Sequence, residues 1–150
     1  MSLEAIAEDL GRLSNDPVSF VRYAFPWGEP GTELEHAQLE AWQLRLLEAI
    51  RDGLLTPDQA VQLATVSGHG VGKSALVAWI VLWAISTFRD TVGVVTANTE
   101  TQLKTKTWVQ LGKWYRLFIG ADMFKLTATS LFSPERERTW RVDIDRKSVV

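Results

Sequence analysis

The chain contains no cysteine. That absence excludes a disulfide scaffold and thiolate metal centres, and it is compatible with a reducing, cytosolic setting. Positive charge is not in excess either: the formal net charge is −2. The global basic field of an autonomous nucleic-acid binder is missing, so any such contact must come from a local patch. There is no long apolar run. The stretch Ala75 to Ile85 is unbroken, yet it falls short of the roughly 18–20 residues that span a bilayer. The opening MSLEAIAEDLGRL is acidic and amphipathic, not basic and then apolar, so a signal peptide is not expected. Internal repeats and low-complexity tracts are also lacking.

What is present is ordinary for a folded protein: 150 residues, 46% of them hydrophobic and 23% charged. Such a chain suits one domain with a real core. Seven tryptophans argue for a well-packed interior, with some rings available as contact surface.

Along the chain, Leu3, Ile6, Leu10 and Leu13 form a helical stripe. Asp16-Pro17 reads as an N-cap and first-turn pair that starts a short helix to about Phe25. PWGEPGTE is loop. AQLEAWQLRLLEAIRDG predicts an amphipathic helix with Leu39, Trp42, Leu46 and Ile50 on one face and Gly53 as its stop. A further turn of helix is expected after Thr56-Pro57.

VQLATV (61–66) and TVGVVTA (91–97) predict buried strands, each followed by a helix. The second of these helices carries Leu103, Leu111, Trp114 and Phe118 on one stripe. FKLTATSLF and RTWRVDI predict two strands joined by the turn SPERE. This alternation predicts an α/β fold with a parallel sheet.

The most specific chemistry lies between the first of those strands and its helix. TVSGHGVGKSALVAWIVLWAIS runs from Thr65 to Ser86. Gly72-Lys73-Ser74 fits the end of a phosphate-binding loop, although Ser67 stands where the pattern has its first glycine. Gly68, Gly70 and Gly72 permit positive φ and close backbone approach, so the N–H groups from Ser67 through Val71 to Ser74 can converge on phosphate oxygens. The helix N-terminus adds partial positive charge. Lys73 supplies a point charge for the terminal phosphates, and the Ser74 hydroxyl suits Mg²⁺. The bland alternative is a glycine-rich turn before a core helix. His69 is open between reaching a phosphate or a neighbouring subunit's site and being a solvent-facing loop residue. Trp79 and Trp83 read as core filling.

At these residues the chain resembles the large terminase subunit of tailed bacteriophages, the ATP-driven motor and nuclease that packages double-stranded DNA into procapsids. The likeness rests on FPWGEPGTELE, AWQLRLLEAI, SGHGVGKSALVAWIVLWAIST and GVVTANTETQLKTKTW, which occur in the family's order. The Ser67 form of the loop is common among those proteins, and a basic residue often stands at the position of His69. The resemblance implies a P-loop NTPase-like sheet of the additional-strand, helicase-like type behind an N-terminal helical segment. It further implies ATP and Mg²⁺ as cofactors, with Lys73 and His69 in catalytic roles.

The family's adenine-reading glutamine, in a Trp-Gln pair, corresponds to Gln43 beside Trp42. An amide that donates and accepts suits the adenine edge; the alternative is an exposed helix glutamine. Thr96 and Asn98 are candidates for the coupling path to DNA, or an ordinary strand-to-helix turn. Lys104, Lys106, Lys113 and Arg116 make a basic helix, with Lys106 and Lys113 on a shared face, as a DNA-facing patch or a solvated surface. Double-stranded DNA, the small terminase subunit and the portal protein are the implied partners, and the bacterial host cytoplasm is the implied location.

A working ATPase of this type also needs an apolar strand ending in paired acids, and no such stretch occurs; RVDID has too little apolar sequence before Asp143. The expected organisation is a helical segment with the adenine motif over 1–60 and the N-terminal part of a P-loop ATPase domain over 61–144. Residues 145–150, DRKSVV, read as one translated frame of a sequencing adapter and are expected to be a non-native tail. The rival readings are another P-loop ATPase acting on DNA and an inert truncated fragment.

Overall fold

Ser2 begins the first helix by accepting a hydrogen bond from the Ala5 N–H at 3.1 Å, the usual way a short polar side chain satisfies an orphan donor. A computed structural model describes residues 1–54, 73–95, 101 and 103–144. Helix α1 spans Leu3–Gly11 and turns Ile6 and Leu10 inward. Helix α2 spans Pro17–Ala24, capped by Asp16, whose carboxylate accepts from the Ser19 N–H at 3.1 Å. The loop that follows uses Gly28 and Gly31 at φ 71° and 83°, backbone that glycine adopts without a Cβ penalty.

Helix α3 spans Ala41–Gly53 and α4 spans Lys73–Thr87. The predicted face of α3 needs correcting. Its buried residues are Gln43, Leu47 and Ile50, while Trp42 and Leu46 are half-buried. The N-cap is Glu40, so Leu39 precedes the helix, and Gln43 is drawn inward by the cap it completes: its Oε1 accepts from the Glu40 N–H at 3.0 Å. Gly53 is the last helical residue, with Leu54 as the C-cap.

Helix α4 is apolar around its whole circumference, the pattern of a buried helix. It packs against α1, α2, β4 (Arg141–Ile144) and α5 (Trp108–Leu117). Ser86 and Thr87 are buried at its end, each returning its hydroxyl to a carbonyl one turn back, Leu82 O and Trp83 O. Asp90, at φ 63°, makes the turn out of α4. Its carboxylate oxygens lie 2.7 and 2.9 Å from Arg136 Nη1.

The second long helix is regular only over α5. A π-helical turn, Leu103–Thr107, precedes it, and the wider turn alters the rotation between Lys106 and Lys113. Leu111 and Trp114 are buried, as is Phe118 just beyond the helix.

The sheet is mixed and not parallel as expected. Its order is β1-β4-β3-β2, with β1 Val92–Val95, β2 Lys125–Leu126 and β3 Ser130–Phe132. Among the described strands, β1 and β4 run parallel, while β4–β3 and β3–β2 are antiparallel. The stretch FKLTATSLF is therefore not one strand but the tight β2–β3 hairpin. Thr127 closes it: its N–H donates to Ser130 O at 2.8 Å and its Oγ1 accepts from the Ser130 N–H at 3.1 Å, because a short polar side chain stabilises a turn through local backbone bonds. Residues 133–140, containing SPERE, do connect two strands.

One core unites these elements. Phe20, Phe25, Trp27, Trp79, Trp114 and Phe118 form a run of ring contacts, with Trp79 against Trp114 at 5.2 Å and 88° and against Trp27 at 5.6 Å and 82°. These are the edge-to-face geometries that aromatic quadrupoles favour. Long-range bonds fasten the periphery: Trp83 Nε1 donates to Leu13 O at 3.0 Å, and Trp140 Nε1 to Ile85 O at 2.7 Å.

Gly120 sits in this core. A Cβ there would lie 2.8 Å from Phe118 Cζ and 2.9 Å from Leu10 Cδ1. Gly120→Ala is therefore expected to destabilise the protein by about 1–3 kcal/mol through overpacking, measured as a lower urea midpoint at unchanged slope.

Candidate functional site

Lys73 and Ser74 form the first turn of α4, and both residues are half-buried. The helix behind them is anchored by Leu76, Trp79 and Leu82, each at most 3% exposed. This places an ammonium and a hydroxyl at the positive end of a rigid, buried helix dipole. No carboxylate among the described residues pairs with Lys73. The remaining loop candidates, Ser67, Gly68, His69, Gly70, Val71 and Gly72, lie outside the described residues. So do the strand at 61–66, the turn after Thr56, Thr96, Asn98 and the tail 145–150.

Gln43 is 5% exposed, which corrects the alternative of an exposed helix glutamine. Burial of its amide is tolerated because the Glu40 N–H satisfies the oxygen. Trp42 is half-buried, its indole N–H donating to the Glu40 carboxylate. Of the basic set, Lys104, Lys106 and Arg116 are exposed. Lys113 is half-buried, its ammonium 5.3 Å from the centre of the Trp114 ring.

A polar cluster that motif reading missed lies on the sheet face turned away from α4. Arg141 grips Asp143 through Nε and Nη2, each at 2.7 Å, and Nη2 also donates to Ser130 Oγ at 2.9 Å. The Ser130 hydroxyl donates to the same carboxylate. The signal was the alternation in RVDI, which puts residues 141 and 143 on one face of a strand. This Asp143 is committed to Arg141 and does not present a free carboxylate. Val92 and Val94, level with Arg141 and Asp143 in the parallel pair, are 67% and 65% exposed on the same face, so β1 is not the buried strand expected over 91–97.

The Arg141 guanidinium holds the Asp143 carboxyl below its ordinary value of 3.8; partial burial opposes this and the Ser130 hydroxyl reinforces it. Because the folded value is lowered, the stabilisation is fully present above the unfolded value and is lost as pH falls through the folded one. The difference in urea midpoint between the native chain and Asp143→Asn should stay constant from neutral pH to about pH 4 and shrink below it. Its size is modest, since the pair is a quarter to a third exposed.

Searches against protein-family models, curated proteins and solved structures each return no match. Among the described residues, no helix is long and apolar enough to cross a membrane, and no three histidine, aspartate or glutamate side chains gather as a metal site.

Proposed function

We propose that this chain is the ATP-binding portion of a motor subunit of the large-terminase type, a protein that packages double-stranded DNA together with a small terminase subunit and a portal, in the bacterial host cytoplasm. The observation that carries the proposal is the placement of Lys73 and Ser74 in the opening turn of a buried apolar helix, with no carboxylate among the described residues claiming the lysine. A charge so placed fits an anion better than it fits a core. In this reading the amides of 67–74 cradle the phosphates, and His69 adds a second basic contact. Ser74 ligates Mg²⁺, which neutralises phosphate charge when bound. Gln43, turned out of its cap on Glu40, reads adenine beside Trp42.

Turnover is not part of the proposal. Asp143 is spent on Arg141, and the sequence has no apolar strand ending in paired acids. Equilibrium titration with ATP and Mg²⁺ tests the reading: binding that Lys73→Ala weakens by about 10- to 100-fold supports it, and affinity unchanged in that variant ends it.

One observation favours a second reading, an inert fragment. Val92 and Val94 expose two apolar side chains beside the Arg141–Asp143 pair, and exposed apolar surface of this kind favours association. An inert chain binds no ATP and precipitates, so the same titration separates the two. A different P-loop ATPase acting on DNA would pass the titration and differ in what it couples hydrolysis to.

A further inference from the structure

A groove of about 390 Å³ lies where the start of α1 meets the segments around Met123 and Pro134, remote in the chain from Lys73. Its floor is apolar. Leu3 is 43% exposed there, and Met123 and Trp140 line it. The Trp140 ring is fixed before any partner arrives: its N–H is held by Ile85 O at 2.7 Å, and it packs T-shaped with Phe124 at 5.5 Å and 82°. An immobile tryptophan beside an adaptable methionine is the make-up of a binding hot spot, because little side-chain entropy is lost on docking.

Three carboxylates from three different segments, Glu4, Asp122 and Glu135, stand among the lining residues, and no lysine or arginine does. The adjacent Arg136, which would offset Glu135, is engaged instead with Asp90. We infer that this groove docks a partner-protein segment in which an aliphatic side chain is flanked by lysine or arginine. The aliphatic group displaces water from Leu3 and Trp140, and the flanking cations meet the rim. Charge complementarity sets the approach and register, and the apolar floor sets the lifetime. Nucleic acid and anionic membrane are repelled by the same rim. This inference does not depend on the nucleotide reading.

The test uses the full chain and a short synthetic peptide of alternating leucine and lysine, free of tryptophan. Binding is followed by calorimetry and by the Trp140 indole N–H resonance. The peptide should bind, shift that resonance and weaken with added salt. Neutralising the rim with Glu4→Gln, Asp122→Asn and Glu135→Gln together should weaken binding about tenfold. Glu4→Gln alone, an exposed first-turn change, should give a smaller loss of the same sign, and it keeps the test decisive if the triple variant folds poorly. Leu3→Asn should weaken binding by a comparable factor. An all-lysine peptide that binds as tightly overturns the proposal, as does a triple variant with unchanged affinity or a Trp140 signal that does not move. Self-association of the chain that the triple variant abolishes would assign the groove to a second copy, and would also overturn it.

Discussion

Trp79→Ala is expected to cost about 3–5 kcal/mol, a large share of the roughly 5–15 kcal/mol that holds a typical domain folded. The residue is 2% exposed in the middle of α4 and meets both Trp27 and Trp114 edge to face. Its removal therefore opens a void shared by α4, α5 and the loop after α2. Close-packed interiors collapse into such voids only in part.

The contrast with Trp79→Phe sharpens the claim. The indole nitrogen of Trp79 is buried and has no hydrogen-bond partner among the described residues, so phenylalanine forfeits some area but leaves no acceptor unpaired. A cost below about 1.5 kcal/mol is expected for it. Urea unfolding followed by far-ultraviolet circular dichroism measures both. Equal, large losses would mean that the indole nitrogen has an essential partner; two small losses would mean that α4 is not the centre of the core.

Lys73→Ala is expected to lower ATP affinity by about 10- to 100-fold, the worth of charge-assisted bonds to phosphate that water replaces only in part. Stability should hardly change, because the residue is only partly buried and sits at a helix terminus. Ser74→Ala should instead reduce the part of the affinity that depends on added Mg²⁺ while leaving Mg²⁺-free binding nearly intact. Fluorescent ATP titrated with and without Mg²⁺ resolves the two effects. If the lysine variant lost stability and affinity in proportion, Lys73 would be structural and the phosphate site would fall.

Both results bear on what could be read from residue order. Caps and breakers were legible where one side chain acts on its own neighbours: Asp16 caps α2 through the Ser19 N–H, three residues on. The buried character of α4 was equally plain, since a helix apolar on all sides has nowhere else to go. The orientation of α3 was not. Its inward face depends on whether Gln43 completes a cap or faces solvent, and hydrophobic spacing carries no information about that choice. The hairpin inside FKLTATSLF was missed for a similar reason: strands as short as β2 and β3 are too brief for alternation to outweigh Thr127 acting as a turn residue.

By itself, then, residue order determined the α/β class, the approximate places of α1 to α4 and β1, and the lysine–serine pair at the mouth of the central helix. These follow from local periodicity and local hydrogen bonding. Only the tertiary structure decided the mixed pairing of the sheet, the inward turn of Gln43, the capture of Asp143 by Arg141, and the meeting of Glu4, Asp122 and Glu135 around one groove. Each of those joins groups distant in the chain or balanced between two environments. Which arrangement wins depends on what else is packed alongside, a quantity that no window along the sequence contains.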